Sequence, residues 1–226
     1  MKLSVIIPAY NEIRTISKLL ELIKKVEIEK EIIIIDDGSS DGTQELLRDI
    51  KEKNIKVIFH KKNHGKGMAI RTGIKHITGD IVIIQDADLE YDPQDYYKLI
   101  APIINNQATV VYGSRLLNPQ FRRNYNLNLF ATKLLSKMSN FLYNTKLTDE
   151  PTCYKVFKTG VLKSINLKCK KFEFCPEVTA KVSKKGHCIH ELPINYYPRS
   201  IEEGKKINWK DGVQAIWTLI KYRFID

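Results

Sequence analysis

The chain has 226 residues, 43% of them hydrophobic and 28% charged, which suits a globular protein with a core of its own and excludes wholesale disorder. Lysine and arginine outnumber the acids 37 to 26, and the formal net charge of +11 asks for an anionic partner: nucleic acid, an acidic membrane surface or a phosphorylated substrate. Cys153, Cys169, Cys175 and Cys188 lack CxxC spacing and give neither a zinc pattern nor a disulfide framework; reduced thiols in cytoplasm are expected.

In chain order, Leu3–Pro8 reads as a strand, Glu12–Lys25 as an amphipathic helix and Glu31–Asp36 as a buried strand. Thr43–Lys53 follows as a helix capped by Asp41 or Thr43. Lys56–Phe59 is a third strand, Lys66–His76 a helix opened by glycines, and Ile81–Gln85 a fourth strand. Pro93 suits the first turn of a helix through Ile104, and Thr109–Tyr112 is a fifth strand. Beyond Ser114 the pattern changes. Residues 121–147 form a long amphipathic region, Cys153–Phe157 and His187–Pro193 read as short strands around a helix at Glu177–Lys185, and Trp209–Phe224 is again amphipathic. Alternating strands and helices imply right-handed β-α-β units: a Rossmann-like α/β fold with a mostly parallel twisted sheet and helices on both faces. With no repeat and no low-complexity linker, residues 1–226 read as a single domain, its amphipathic helices in the C-terminal half. MKLSVIIPAYNE turns polar too soon for a secretory signal, and no uncharged run approaches the roughly 20 residues that span a bilayer.

The most informative stretch is IVIIQDADLE, residues 81–90. Its apolar run predicts a strand buried on both faces, and an unpaired carboxylate is costly inside such a sheet. Asp86 and Asp88 are therefore expected just beyond the strand's carboxyl end, where open α/β sheets bind ligands. Two carboxylates so close repel each other unless a cation lies between them, and a hard divalent ion shared with a diphosphate fits. Three other segments end at strand carboxyl termini: Pro8-Ala9-Tyr10-Asn11-Glu12, Asp36-Asp37-Gly38-Ser39-Ser40-Asp41-Gly42-Thr43 and Asn63-His64-Gly65-Lys66-Gly67. The second offers acceptors for ribose hydroxyls or a base N–H. The third offers flexible backbone and one cation for a diphosphate. Alone, each is a turn, a helix cap or a solvated lysine; together, on one alternating scaffold, they read as a nucleotide-sugar site.

SVIIPAYNE, EIIIIDDGSSDGT, NHGKGMAIRTGI, GDIVIIQDADLE and VYGSR resemble, in order and spacing, the family 2 glycosyltransferases of the A-type fold, and the resemblance covers nearly the whole chain. LTDEPTCYKVF, FCPEVTAKV and ELPINYYPRSIEEGKKINWKDG are similar to the branch containing dolichyl-phosphate mannosyltransferase and bacterial polyprenyl-phosphate glycosyltransferases. The QxxRW signature of processive synthases is absent, as is a GxGxxG after the first strand. The resemblance implies a donor half in residues 1–114 and an acceptor half in 115–226. It places Pro8, Tyr10, Glu12 and Asp37 around the base and ribose, and Lys66 on the donor loop. Asp86, Ala87 and Asp88 fall at the donor and its metal (Mg²⁺ or Mn²⁺), with Glu90 also reaching the ion. Arg115 falls where an arginine meets the acceptor phosphate, and Asp149 where relatives carry a functional aspartate. Arg199, Lys205 and Lys206 lie on a lid-like segment that supplies cations to the diphosphate or the lipid phosphate. One departure is plain: relatives read DMETCYK where this chain has Asp149-Glu150-Pro151-Thr152-Cys153.

The implied reaction is an inverting transfer of one hexose from a GDP-mannose or UDP-glucose type of donor to polyprenyl or dolichyl phosphate. The expected place is the cytoplasmic face of a membrane, held peripherally, with room for a separate membrane-anchor subunit. A hydroxyl acceptor would instead need a general base, and Asp149 is the candidate. A nucleic-acid-binding module is the distant alternative; no such motif is present, and the crevice carboxylates would repel phosphates, so no nucleic-acid partner is expected. The region 121–147 and Trp209–Phe224 each have an apolar face that either the core or a membrane could take.

Overall fold

The computed structural model describes residues 1–119, 127–198 and 209–225. Its sheet has seven strands in the order β3-β2-β1-β4-β6-β5-β7. The strands are β1 (Leu3–Ala9), β2 (Lys30–Asp36), β3 (Ile55–Phe59), β4 (Ile81–Ile84), β5 (Val110–Ser114), β6 (Lys155–Lys158) and β7 (Ile189–Pro193). All are parallel except β6, which runs antiparallel between β4 and β5. Consecutive residues Val5, Ile6 and Ile7, Ile32 to Ile35, and Ile81 to Ile84 are all buried, so both faces of the central strands are covered. The α/β fold class with a mostly parallel sheet is therefore as expected, and strands from both halves of the chain join one sheet.

The helices are α1 (Ile16–Lys24), α2 (Thr43–Arg48), α3 (Lys66–Ile74), α4 (Tyr96–Ile104), α5 (Leu127–Tyr143), α6 (Thr159–Lys163), α7 (Phe174–Lys184) and α8 (Trp209–Phe224), with a 3₁₀ turn at Pro93–Asp95. The boundaries of α1 and α2 differ from expectation for local reasons. α1 starts four residues late, because Asn11 is left-handed (φ 54°) and the N–H groups of Glu12 and Ile13 donate to Thr43 Oγ1 and Asp41 Oδ2. α2 stops at Arg48, since the chain must turn to feed β3. Its cap position is Gly42, and Asp41 Oδ1 accepts the Thr43 N–H at 3.0 Å. Asp92 caps the turn at Pro93 by accepting the Gln94 N–H.

The core packs against the whole sheet, and a second, smaller cluster joins α5, α7 and α8 through Leu135, Tyr143, Ala180, Ala215, Leu219 and Tyr222. The core therefore takes part of the apolar face of each amphipathic helix. Each buries one edge, while Phe130 and Phe141 on α5 and Val213, Trp217 and Phe224 on α8 stay exposed. Among the described residues no helix is long and apolar enough to cross a membrane.

Candidate active site

Strand direction decides where the candidate residues meet. β1, β2, β3, β4, β5 and β7 point the same way, so the loops that follow them open at one edge of the sheet, and antiparallel β6 begins there. That edge collects residues 10–15, 37–42, 60–65, 85–92, 115–119, 148–153 and 194–198. Between β1 and β4 the chain order reverses, the place where open sheets form a crevice.

On the β1–β2 side the loops are zipped together. Asn11 N–H donates to Ser39 Oγ, and Asn11 Oδ1 accepts from Ser40 N. Pro8 and Tyr10 are half-buried at the end of β1. Glu12 is buried, its Oε2 accepting from Thr15 Oγ1 at 2.9 Å. The two aspartates of DDGS divide their work. Asp37 holds the next loop: His60 Nδ1 lies 2.6 Å from Oδ1, and the N–H groups of His64 and Gly65 donate to its carboxylate. Asp36 Oδ1 accepts from Gly38, Ser39 and Gln44, while its Oδ2 is buried with no hydrogen-bond partner. The unspent acceptor of the pair is thus on Asp36, one residue from the sequence candidate.

The glycine loop is less open than its composition suggested. Gly67 N–H and Met68 N–H, at the start of α3, donate to Lys171 O and Lys170 O. Gly65 adopts φ 95°, and a Cβ there would stand 2.5 Å from Lys170 O. Backbone from residues 170–171 therefore fills space and donors that a diphosphate was expected to use. Lys66 remains for that role. Its Nζ lies 2.5 Å from Asp86 Oδ1, tying the loop after β3 to the one after β4. Burial works to lower the Lys66 pKa, but the carboxylate of Asp86, with the thiols of Cys153 and Cys175, more than reverses this, so the ammonium stays charged.

Past β4, Gln85 is fully buried and accepts hydrogen bonds from Tyr96 and Tyr154, both 2.6 Å. Ala87 is buried; Leu89 is left-handed at φ 63°, and Asp88 Oδ1 accepts the Glu90 N–H across that turn. Glu90 points elsewhere, its Oε2 accepting from the Tyr196 hydroxyl at 2.8 Å. Asp86, Asp88 and Glu90 are the three carboxylates expected around one ion. Among the described residues no three acidic, histidine or cysteine side chains converge on such a point, because Lys66 takes Asp86 and Tyr196 takes Glu90. One or two hard carboxylate oxygens, completed by substrate phosphate and water, remain a donor set suited to Mg²⁺ or Mn²⁺.

Across the crevice Arg115 and Asp149 form a closed pair. Asp149 is fully buried; Oδ2 accepts from Arg115 N (2.8 Å) and Nε (2.7 Å), and Oδ1 from a terminal nitrogen at 2.7 Å. Burial would lower the Arg115 pKa, but Asp149 raises it well above the ordinary value. The guanidinium also lies over the Tyr196 ring, 5.0 Å from its centroid. Glu191 on β7 positions the partner loop, accepting from Thr148 N, Thr148 Oγ1 and Asp149 N. Next to this pair is a groove of about 600 Å³ lined by Leu116, Leu129, Leu147 and Thr148 with Lys133 and Lys137. Arg199, Lys205 and Lys206 lie outside the described residues. Sequence reading did not single out Tyr196, His60 and Glu191, whose long-range contacts cannot be read from the segments that carry them.

Comparison with known proteins gives the family and the fold. Residues 4–165 match Glycosyl transferase family 2. The UDP-N-acetylglucosamine--dolichyl-phosphate N-acetylglucosaminyltransferase of Methanococcus voltae is 32% identical over 235 residues, covering 95% of this chain and 93% of that protein. The undecaprenyl-phosphate 4-deoxy-4-formamido-L-arabinose transferase of Proteus mirabilis is 30% identical over 178 residues, covering 74% of this chain and 52% of that protein. Among solved structures, glucosyl-3-phosphoglycerate synthase from Mycobacterium tuberculosis, in complex with Mn²⁺, UDP and phosphoglyceric acid, superposes with a TM-score of 0.77 at 18% identity, over 100% of this chain and 79% of that one. At that identity the likeness is one of fold.

Proposed function

Because the chain belongs to Glycosyl transferase family 2, we propose that it moves one hexose from a nucleotide-sugar to a polyprenyl or dolichyl phosphate, inverting the anomeric centre, at the cytoplasmic face of a membrane. Residues 1–114 take the donor and residues 115–226 the acceptor. The observation that carries this reading is the Arg115–Asp149 pair. A hydroxyl acceptor needs a base, yet both oxygens of Asp149 already accept from Arg115 and the carboxylate has no exposed surface. A lipid phosphate is ionised near neutral pH and needs only a positioned fork of donors, which a guanidinium supplies. Asp149 then serves to orient Arg115. The two relatives whose names specify polyprenyl-phosphate acceptors support the same choice.

On the donor side, Pro8, Tyr10, Glu12 and the aspartates of the second loop receive the nucleoside, and Lys66 turns from Asp86 to the diphosphate. Asp88, joined by Asp86 once Lys66 has moved, would hold Mg²⁺ or Mn²⁺, and the ion bound there would neutralise charge gathering on the leaving diphosphate. Glu90 supports that turn. The cations of Arg199, Lys205 and Lys206 complete the charge balance over the two phosphates. In-line attack by the phosphate oxygen held at Arg115, opposite the departing diphosphate, gives inversion.

The acceptor's first isoprene units fit the apolar groove beside Leu116 and Thr148. Phe130, Phe141, Trp217 and Phe224, exposed on α5 and α8 among Lys133, Lys137, Lys210 and Lys221, suit the interface of an anionic bilayer. The test is a donor panel of UDP-glucose, UDP-GlcNAc and GDP-mannose with a short polyprenyl phosphate, with and without EDTA. One donor should give glycolipid product that chelation abolishes. Product formed equally well in EDTA contradicts the metal role, and no product from any donor contradicts the reading.

A further inference from the structure

The segment after β7 meets the loops that follow β4 and β5, and one side chain on it touches both proposed halves of the site. The Tyr196 hydroxyl donates to Glu90 Oε2 at 2.8 Å, and the next residue, Tyr197, donates its N–H to Glu90 O at 2.8 Å. The other face of the residue belongs to the acceptor side, since the Arg115 guanidinium lies 5.0 Å from the ring centroid. Tyr91 packs edge-on against the same ring at 5.1 Å and forms an antiparallel bridge with Tyr196. The segment is itself anchored, because Asn195 N and Nδ2 donate to the two oxygens of Asp95, and Asn118 Nδ2 donates to Ile194 O.

We infer that Tyr196 is a positioning residue that couples the two halves, its hydroxyl fixing the Asp88–Glu90 turn and its ring fixing Arg115. The turn needs such support. Leu89 holds φ 63°, a conformation that side-chain-bearing residues rarely adopt and that persists only when the surroundings over-determine it. Asp88 grips the turn from one side through the Glu90 N–H, and residues 196 and 197 grip it from the other. Burial, with Tyr91 and Glu90 close by, raises the Tyr196 pKa, so the phenol stays protonated and donates. On the ring side, a guanidinium held on an aromatic face and forked onto Asp149 keeps its remaining donors directed in one plane.

The inference rests on the donor and acceptor roles proposed above, and its test separates the two. Binding of UDP and GDP is measured by calorimetry with Mn²⁺ and with EDTA, in the absence of acceptor, for the wild type, Tyr196→Phe and Tyr196→Leu. Tyr196→Phe keeps the ring and its packing but deletes a hydrogen bond to a charged group. It should lose about tenfold of the Mn²⁺-dependent affinity gain, with the acceptor KM unchanged. Tyr196→Leu should show the same loss and, in addition, an acceptor KM raised about tenfold without a matching fall in kcat. Adding Glu90→Gln to Tyr196→Phe should weaken binding no further. Wild-type-like Mn²⁺ dependence in Tyr196→Phe overturns the inference, as does an equal change of nucleotide affinity and acceptor KM in the Phe variant. A wild type whose nucleotide affinity ignores Mn²⁺ overturns the donor-site reading, before any substitution is compared, and the inference falls with it.

Discussion

Replacing Asp149 by asparagine separates a positioning carboxylate from a catalytic base. Asparagine keeps the shape and one acceptor oxygen, but its amide nitrogen faces a donor of Arg115 where Oδ2 or Oδ1 now accepts at 2.7 Å. The guanidinium, largely buried, also loses its counter-charge. Removing one partner of a buried pair costs about 3–5 kcal/mol, and the retained acceptor places this variant near the lower figure. About 3 kcal/mol in a chain of this length corresponds to a fall in Tm of about 6–12 °C. Because the side chain positions Arg115, the KM for polyprenyl phosphate should rise, and the shape of the pH–rate profile should persist. A base would behave differently. Its loss would lower kcat by about 10²–10⁴-fold at unchanged KM and erase one limb of the pH profile. Thermal melting with steady-state kinetics across pH distinguishes the patterns, and the second would refute the assignment.

Three further outcomes follow from other parts of the molecule. Burial alone would raise the Glu31 carboxyl, but hydrogen bonds from Ser4, Thr78 and Lys2 hold it down at about 2. That stabilisation is complete above the ordinary value of 4.5 and is lost as pH falls towards 2; with solvent screening of this partly exposed group, the wild type should lose about 1–2 kcal/mol relative to Glu31→Gln over this range in denaturant titrations. If the stability gap between the two proteins is the same at both ends of the range, the network around Glu31 contributes nothing. Gly65→Ala should destabilise by about 2 kcal/mol, since φ 95° and the nearby Lys170 carbonyl both oppose a Cβ; an unchanged urea midpoint would argue against this. Phe141→Ser combined with Trp217→Ser, at residues 89% and 58% exposed, should leave Tm unaltered yet weaken co-sedimentation with anionic vesicles by about tenfold or more. Equal sedimentation of variant and wild type would place the membrane contact elsewhere.

The β1–β4 region was legible because its signals are local. Unbroken Ile/Val runs mark strands buried on both faces, and an acid immediately after such a run must lie beyond the strand's end, as Asp86 and Asp88 do. What the sequence hid was partnership at a distance. Asp37 read only as a ligand group, and in the fold it also holds His60 and the backbone of residues 64 and 65. The glycines of NHGKG looked available, yet their close neighbour is backbone a hundred residues later, at 170–171, held by Glu173 through the N–H groups of both residues. β6 reads as one more short strand, but its antiparallel direction, which delivers Asp149 to the ligand edge, depends on pairing with both β4 and β5. Tyr196 stands inside the ELPINYYPRS stretch, but only the fold shows that it meets Glu90 and Arg115.

The central claim is that Arg115 presents an ionised lipid phosphate to an activated sugar. Its most direct test is competition between two acceptors of equal chain length, polyprenyl phosphate and the corresponding polyprenol, offered together with one labelled nucleotide-sugar and Mn²⁺. Label recovered in the phosphate-linked lipid, and lost on Arg115→Ala, is the predicted result. Label recovered in the polyprenol, with the phosphate left unreacted, would contradict it.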